Sequence, residues 1–127
     1  MKAGLFVYGT LHPDRAPSEI RDVVRRLRKI GTGTVRGSVY ELGDYPALVP
    51  DSRMHVTGTL FELPDDRAAL WAMDDYEEYW RDRPHKSLFV RKKRTVTRDD
   101  GRKEKHWVYV YNQPIPKNAT QRTSSAA

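Results

Sequence analysis

The stretch "FVRKKRTVTRDDGRKEKHWVYVYN", residues 89–112, decides the architecture. Two runs rich in Val, Thr, Tyr and Phe flank Asp99, Asp100 and Gly101. β-branched and aromatic residues on either side of an Asp-Gly turn predict an antiparallel hairpin. Trp107, Tyr109 and Tyr111 alternate along its second strand, so their rings share one face. That face either looks into the core or presents stacked rings beside basic residues, as a surface for nucleic-acid bases does. The core-facing row is the simpler reading.

Upstream of the hairpin, more strands follow from the same signals. Residues 4–8, "GLFVY", are apolar on both faces and predict a central strand. "TGTVRGSVYELG", residues 32–43, reads as a second strand, its glycines marking bends or a bulge. "GDYPALVPDS", residues 43–52, reads as an irregular, mostly apolar connection. "MHVTGTLFELP", residues 54–64, alternates Val56, Gly58 and Leu60 against Thr57, Thr59 and Phe61 as a third strand. Two helices are expected. Ile20, Val23, Val24, Leu27 and Ile30 fall at helical spacing after a cap at Ser18, with Gly31 as the stop. A short second helix covers "DDRAALWAMDDYE", capped at Asp65. The order β-α-β-β-α-β-β is an α+β domain with a mixed or barrel-like sheet.

The chain has 127 residues, which predicts one domain over residues 1–116, with 117–127 as an unstructured polar tail. There is no cysteine, which excludes disulfides, thiolate metal sites and a cysteine nucleophile. No window reaches 18 apolar residues, and residues 1–14 lack the apolar run and cleavage pattern of a signal peptide. A cytoplasmic location with no membrane partner is expected. The net charge of +6 comes from 23 Lys and Arg against 17 Asp and Glu. Such a surplus raises nucleic-acid binding, but acids are interleaved with the bases in "RDVVRRLRK" and "VRKKRTVTRDDGRKEK". A solvated face is the simpler account, and nucleic acid is not an expected partner.

Two places could carry chemistry. On a helical wheel Glu77 falls about 20° from Leu70, on the apolar stripe of the second helix if the helix runs that far. Burial and the negative end of a helix both raise a carboxylate's pKa, so Glu77 could be a general base or acid tuned toward neutrality. Alternatively the helix ends before Glu77, which pairs with Arg81 or Arg83. The second place is the turn "YGT" after the first strand. There Gly9 frees the backbone to present N–H groups to a carboxylate or phosphate, or simply ends a strand. His12, His55, His85 and His106 have no metal-ligand spacing, and no P-loop, Rossmann or nucleophile-elbow pattern occurs.

Together these blocks resemble the gamma-glutamylcyclotransferase-like, or AIG2-like, family over about residues 2–113. "FVYGTL" (6–11) looks like its signature loop. "GSVYELGDYPALV" (37–49), "VTGTLFEL" (56–63), "MDDYE" (73–77), "FVRKKRTV" (89–96) and "VYVYN" (108–112) are similar to its later blocks, in order. The resemblance implies a small mixed β-barrel flanked by short helices. It implies an enzyme that needs no cofactor or metal and acts on a small γ-glutamyl substrate. The substrate's own α-amine attacks its γ-amide carbonyl, releasing 5-oxoproline and an amine or amino acid. Glu77 takes the position of the catalytic glutamate. Tyr8, Gly9, Thr10 and Leu11, with Tyr45, Pro46 and Phe89, take the substrate-binding positions. Two residues depart from the family pattern: Glu78 stands where glycine is frequent, and Phe89 replaces a tyrosine. Tyr76 and Tyr79 are the candidates to supply the missing hydroxyl. A non-catalytic module binding a small acidic ligand on the same fold is the alternative reading.

Overall fold

The computed structural model describes residues 2–9, 16–43 and 45–122. Its elements are β1 (Leu5–Val7), α1 (Arg21–Val24), β2 (Arg28–Arg36), β3 (Ser38–Glu41), β4 (Pro46–Val49), β5 (His55–Glu62), α2 (Arg67–Tyr76), β6 (Phe89–Arg98), β7 (Lys103–Tyr111) and β8 (Thr120–Gln121), with a 3-10 turn at Pro84–Lys86. Five strands close a barrel in the order β1-β5-β2-β6-β7, and β4-β3-β8 form a second sheet. The barrel is mixed, because β1 runs antiparallel to β5 but parallel to β7, where Leu5 faces Trp107. The expected hairpin is β6–β7, in unbroken register from Phe89↔Tyr111 to Thr97↔Lys103.

Side-chain alternation divides the core in two. Phe6, Val35, Val56, Leu60, Val90, Val96, Val108 and Val110 form one cluster, drawn from all five barrel strands. Their strand neighbours Leu5, Val7, Phe61, Phe89 and Tyr109 form the other, with Val24, Leu27 and Met73 packed on them. The first fills the barrel and the second lies beneath the helices, as a period of two requires. Tyr109 is buried, and Trp107 and Tyr111 pack on the same cluster, so the aromatic row does face the core. Gly58 permits the tight interior: a Cβ there would lie 2.5 Å from Phe6 Cζ.

Four local expectations are corrected. The first helix is one turn long, not a run to Ile30. Ile20, Val23, Val24 and Leu27 do point to the core, but from Arg28 the backbone pairs with β5 through Arg36↔His55, with a bulge between Lys29 and Gly31. A ladder of that length outweighs the weak helix preference of Ile, Thr and Gly. The expected second strand is two strands, β2 and β3, separated at Gly37, whose N–H donates to the Met54 carbonyl at 3.0 Å. The apolar connection contains β4, paired Ser38↔Val49 to Glu41↔Pro46. Finally, the expected tail contributes β8, which pairs with β3 at Tyr40↔Gln121 and Glu41↔Thr120. It covers backbone groups on an otherwise open edge, and two residues leave no periodicity to read. Among the described residues no helix is long and apolar enough to cross a membrane.

Candidate active site

Where β1 ends, the chain turns at Tyr8 and Gly9. A Cβ on Gly9 would come within 2.8 Å of Pro46 Cγ, so glycine is what lets β4 approach this turn. The Tyr8 hydroxyl donates to the Tyr109 carbonyl at 2.6 Å and accepts from the Leu48 N–H at 3.2 Å. One phenol thereby fixes the turn to both β7 and β4. Burial first, then the Glu77 charge, push the Tyr8 pKa far up, so it stays a neutral hydroxyl.

Helix α2 delivers the carboxylate. Its N-cap is Asp66, not Asp65, with the side chain accepting from the Ala69 N–H at 3.2 Å; Asp65 instead pairs with Lys2 on the surface. The helix stops at Tyr76 with Glu77 as C-cap. The Tyr79 N–H donates to the Asp74 carbonyl at 2.8 Å and the Glu78 N–H to the Asp75 carbonyl at 3.1 Å, the two bonds of a Schellman motif. Glu78 occupies its left-handed position at φ 56°. A glycine there carries no Cβ penalty, which is the physical sense of the family's preference. Downstream, the buried Ser87 hydroxyl accepts from the Trp80 N–H at 2.8 Å, and the Leu88 N–H donates to the Glu78 carbonyl at 3.0 Å. The loop after Glu77 is therefore stitched back onto the cap.

Glu77, Tyr8, Gly9, Tyr45, Pro46 and Phe89 line one half-open pocket with Phe6, Val7 and Tyr109, about 360 Å³ including its mouth. Six of the eight site residues expected from sequence thus come together; Thr10 and Leu11 lie outside the described residues. Glu77 is the only charged residue in the lining among the described residues. Arg81 and Arg83, its alternative partners, stack on Trp71 and Trp80 instead, and Glu77 has no ion pair among the described residues. Desolvation, and secondarily the Glu78 charge, raise its pKa from 4.5 to about 7. Phe89 makes edge contacts with Tyr45 and Tyr111, at 5.8 and 5.4 Å between centroids.

Neither Tyr76 nor Tyr79 lines the pocket; the tyrosines there are Tyr8, Tyr45 and Tyr109. Tyr109 belongs to a network that sequence reasoning missed. Its hydroxyl donates to Asp74 Oδ1 at 2.6 Å. Arg91 grips the same carboxylate with Nε at 2.8 Å and Nη2 at 3.1 Å, and its guanidinium lies 4.3 Å from the Trp107 ring. Asp74 and Arg91 side chains are only 3% and 9% exposed. On a helical wheel Asp74 falls about 40° from Leu70, beside the apolar stripe, and the signal that could have found it is an arginine on the facing strand. The network ties α2, three residues before Glu77, to β6 and β7. Among the described residues no cluster of His, Asp and Glu is placed to hold a metal ion.

The fold is thus a five-stranded mixed barrel in which Glu77 and the turn after the first strand line one pocket. The chain belongs to the gamma-glutamyl cyclotransferase, AIG2-like family, whose sequence model matches residues 5–126. Comparison with curated proteins finds no significant sequence match. Among solved structures, an AIG2-like protein from Mus musculus is similar at 22% identity and TM-score 0.72, covering 98% of this chain and 88% of that one. The protein At5g39720.1 from Arabidopsis thaliana is similar at 23% identity and TM-score 0.68, over 91% and 72%. YkqA from Bacillus subtilis is similar at 20% identity and TM-score 0.65. There the match covers 88% of this chain but 36% of the other, so this chain spans about a third of that protein. These likenesses establish the fold.

Proposed function

We propose that this protein is a cyclotransferase that releases 5-oxoproline and an amine or amino acid from a γ-glutamyl compound. The observation that carries this reading is Glu77, a carboxylate with pKa raised to about 7, lining the same pocket as the Tyr8–Gly9 turn. The substrate brings its own nucleophile, so the pocket's first task is to fold it. Holding the α-amine against the γ-carbonyl in a near-attack pose supplies up to roughly 7–11 kcal/mol of the barrier.

The second task is proton transfer. Ionised Glu77 takes a proton from the α-ammonium, and the freed amine forms a bond to the γ-carbonyl carbon, closing a five-membered ring. The carbonyl oxygen gains negative charge, which backbone N–H groups of the turn can stabilise. Protonated Glu77 then gives its proton to the amide nitrogen as the C–N bond breaks and the carbonyl re-forms. The ring nitrogen, left with two hydrogens by the attack, gives its second proton to the regenerated carboxylate, which passes it to the departing amine. A group with pKa near the working pH can serve as base and then acid. Phe6, Phe89 and Tyr45 exclude water from the reacting atoms, while Asp74, Tyr109 and Arg91 hold the end of α2 in place.

The test is 5-oxoproline release from a panel of γ-glutamyl amino acids and amines. Turnover by the native protein and a loss of about 10²–10⁴-fold in Glu77→Gln are expected. Unchanged turnover in Glu77→Gln would remove the glutamate from the mechanism. No turnover of any panel member, with binding retained, would leave a binding module.

A further inference from the structure

The hairpin's acids and bases are mixed in sequence but sorted by face in the fold. Along β7, Glu104 and His106 point inward: His106 is fully buried, and its Nε2 lies 2.8 Å from Glu104 Oε1. Glu104 also faces Arg98 at 3.6 Å and Arg102 at 3.8 Å, while Asp100 pairs with Arg102 at 2.6 Å. Two of the three interleaved acids, Asp100 and Glu104, are therefore consumed by His106, Arg98 and Arg102. Lys103 and Lys105, on the opposite face, are left over.

That face continues across the barrel. Thr97 stands opposite Lys103 and Thr95 opposite Lys105. Thr34 stands opposite Thr97 on one side and Thr57 on the other. The result is an open groove of about 1570 Å³, counted as for the catalytic pocket and sharing no residue with it. Arg36, Lys93, Arg94, Lys103 and Lys105 line it against one carboxylate, Asp99. None of these five cations has an ion pair among the described residues, and Asp99 accepts from the Thr32 hydroxyl. Four of the chain's net +6 charges thus lie in this groove.

We propose that this groove binds single-stranded nucleic acid through its phosphodiester backbone, without sequence preference. Its chemistry is cations and threonine hydroxyls, which pair with phosphate oxygens. The described lining has no Phe, Tyr or Trp, and its one ring is the His55 imidazole, so it offers no row of rings for successive bases to stack on. It also lacks an apolar recess that would seat the side chains of an acidic peptide. The face spans four strands, three spacings or about 14 Å, which accommodates one backbone and not a duplex.

Anisotropy of a labelled oligothymidylate measures this binding. The slope of log K against log salt is expected near about −3.5, from roughly 0.7 per phosphate neutralised by five cations. Affinity should fall roughly 100-fold between about 50 and 200 mM salt. Lys103→Glu/Lys105→Glu should weaken binding at least about tenfold and flatten the slope by about 1.4, with 5-oxoproline release unchanged. Lys103→Gln/Lys105→Gln serves the same purpose should glutamates disturb the sheet. The inference is overturned by absence of binding at about 50 mM salt, by a slope the lysine variants leave unchanged, or by tighter binding of duplex or of a charge-matched oligoglutamate. It is independent of the cyclotransferase reading.

Discussion

Glu77→Gln should stabilise the protein at pH 8 even as it removes the proposed base. The Glu77 pKa lies at about 7 in the folded protein against 4.5 ordinarily. A folded pKa above the unfolded one means that the group's favourable contribution is whole below about pH 4.5 and is lost as pH rises through about 7. Each pH unit inside that window costs about 1.4 kcal/mol, so the whole window costs at most about 3.5 kcal/mol. Glu77 is half-buried in a pocket open on one side before substrate fills it, which reduces the expected effect to about 1–3 kcal/mol. Glutamine keeps the shape and carries no charge, so its variant escapes this cost. Urea unfolding of both proteins across pH 4.5 to 8 should show their difference rising from near zero and levelling above about pH 7. At pH 8 the melting temperature should rise by about 3–10 °C. A difference flat across the range, or a glutamine variant less stable at pH 8, would refute burial as the source of the raised pKa.

Other predictions follow from the same geometry. The kcat/KM of the native protein should climb with pH and level off with an acid limb near 7, since the base must be ionised. Glu78→Gly should move that limb downward by removing the neighbouring charge, and should add about 1 kcal/mol of stability by relieving the left-handed backbone at φ 56°; an unmoved limb contradicts the electrostatic part. Arg91→Leu leaves Asp74 buried with Tyr109 alone and should cost about 3–5 kcal/mol in denaturant titrations; a loss under about 1 kcal/mol would mean that the network is not what anchors α2. Gly58→Ala should cost about 1–3 kcal/mol or more by forcing a methyl against Phe6 Cζ and the Val7 carbonyl, read as a lowered urea midpoint with an unchanged slope.

Much of this was legible in the sequence because alternation and turn chemistry are local. The β6–β7 hairpin, β5 and the central strand at Leu5–Val7 follow from period-two patterns and one Asp-Gly turn. Glu77 could be placed on the pocket side by counting angles from Leu70, although the helix itself stops one residue earlier. What escaped depended on contacts distant along the chain. Ile30 fits a helical stripe and a strand equally well, and only the presence of β5 decides between them. Arg91 and Asp74 are 17 residues apart, with no pattern linking them. The acids of the hairpin looked like neutralising partners for every nearby lysine, because a linear string of letters does not show which face each residue takes.

The parallel contact of β1 with β7 also orders events in time. Leu5 meets Trp107, the Trp107 N–H donates to the Gly4 carbonyl at 2.9 Å, and the Gly4 N–H donates to His106 Nδ1 at 2.8 Å. The first strand therefore cannot complete its pairing until the last long hairpin has left the ribosome. Closures this remote are slow to form, and a nascent chain lacking β7 leaves the seam side of β1 open and Tyr8 without its Tyr109 acceptor. Tyr8 of the pocket turn is synthesised 101 residues before Tyr109, the residue whose carbonyl fixes it, so the turn reaches its final form only after β7 has followed.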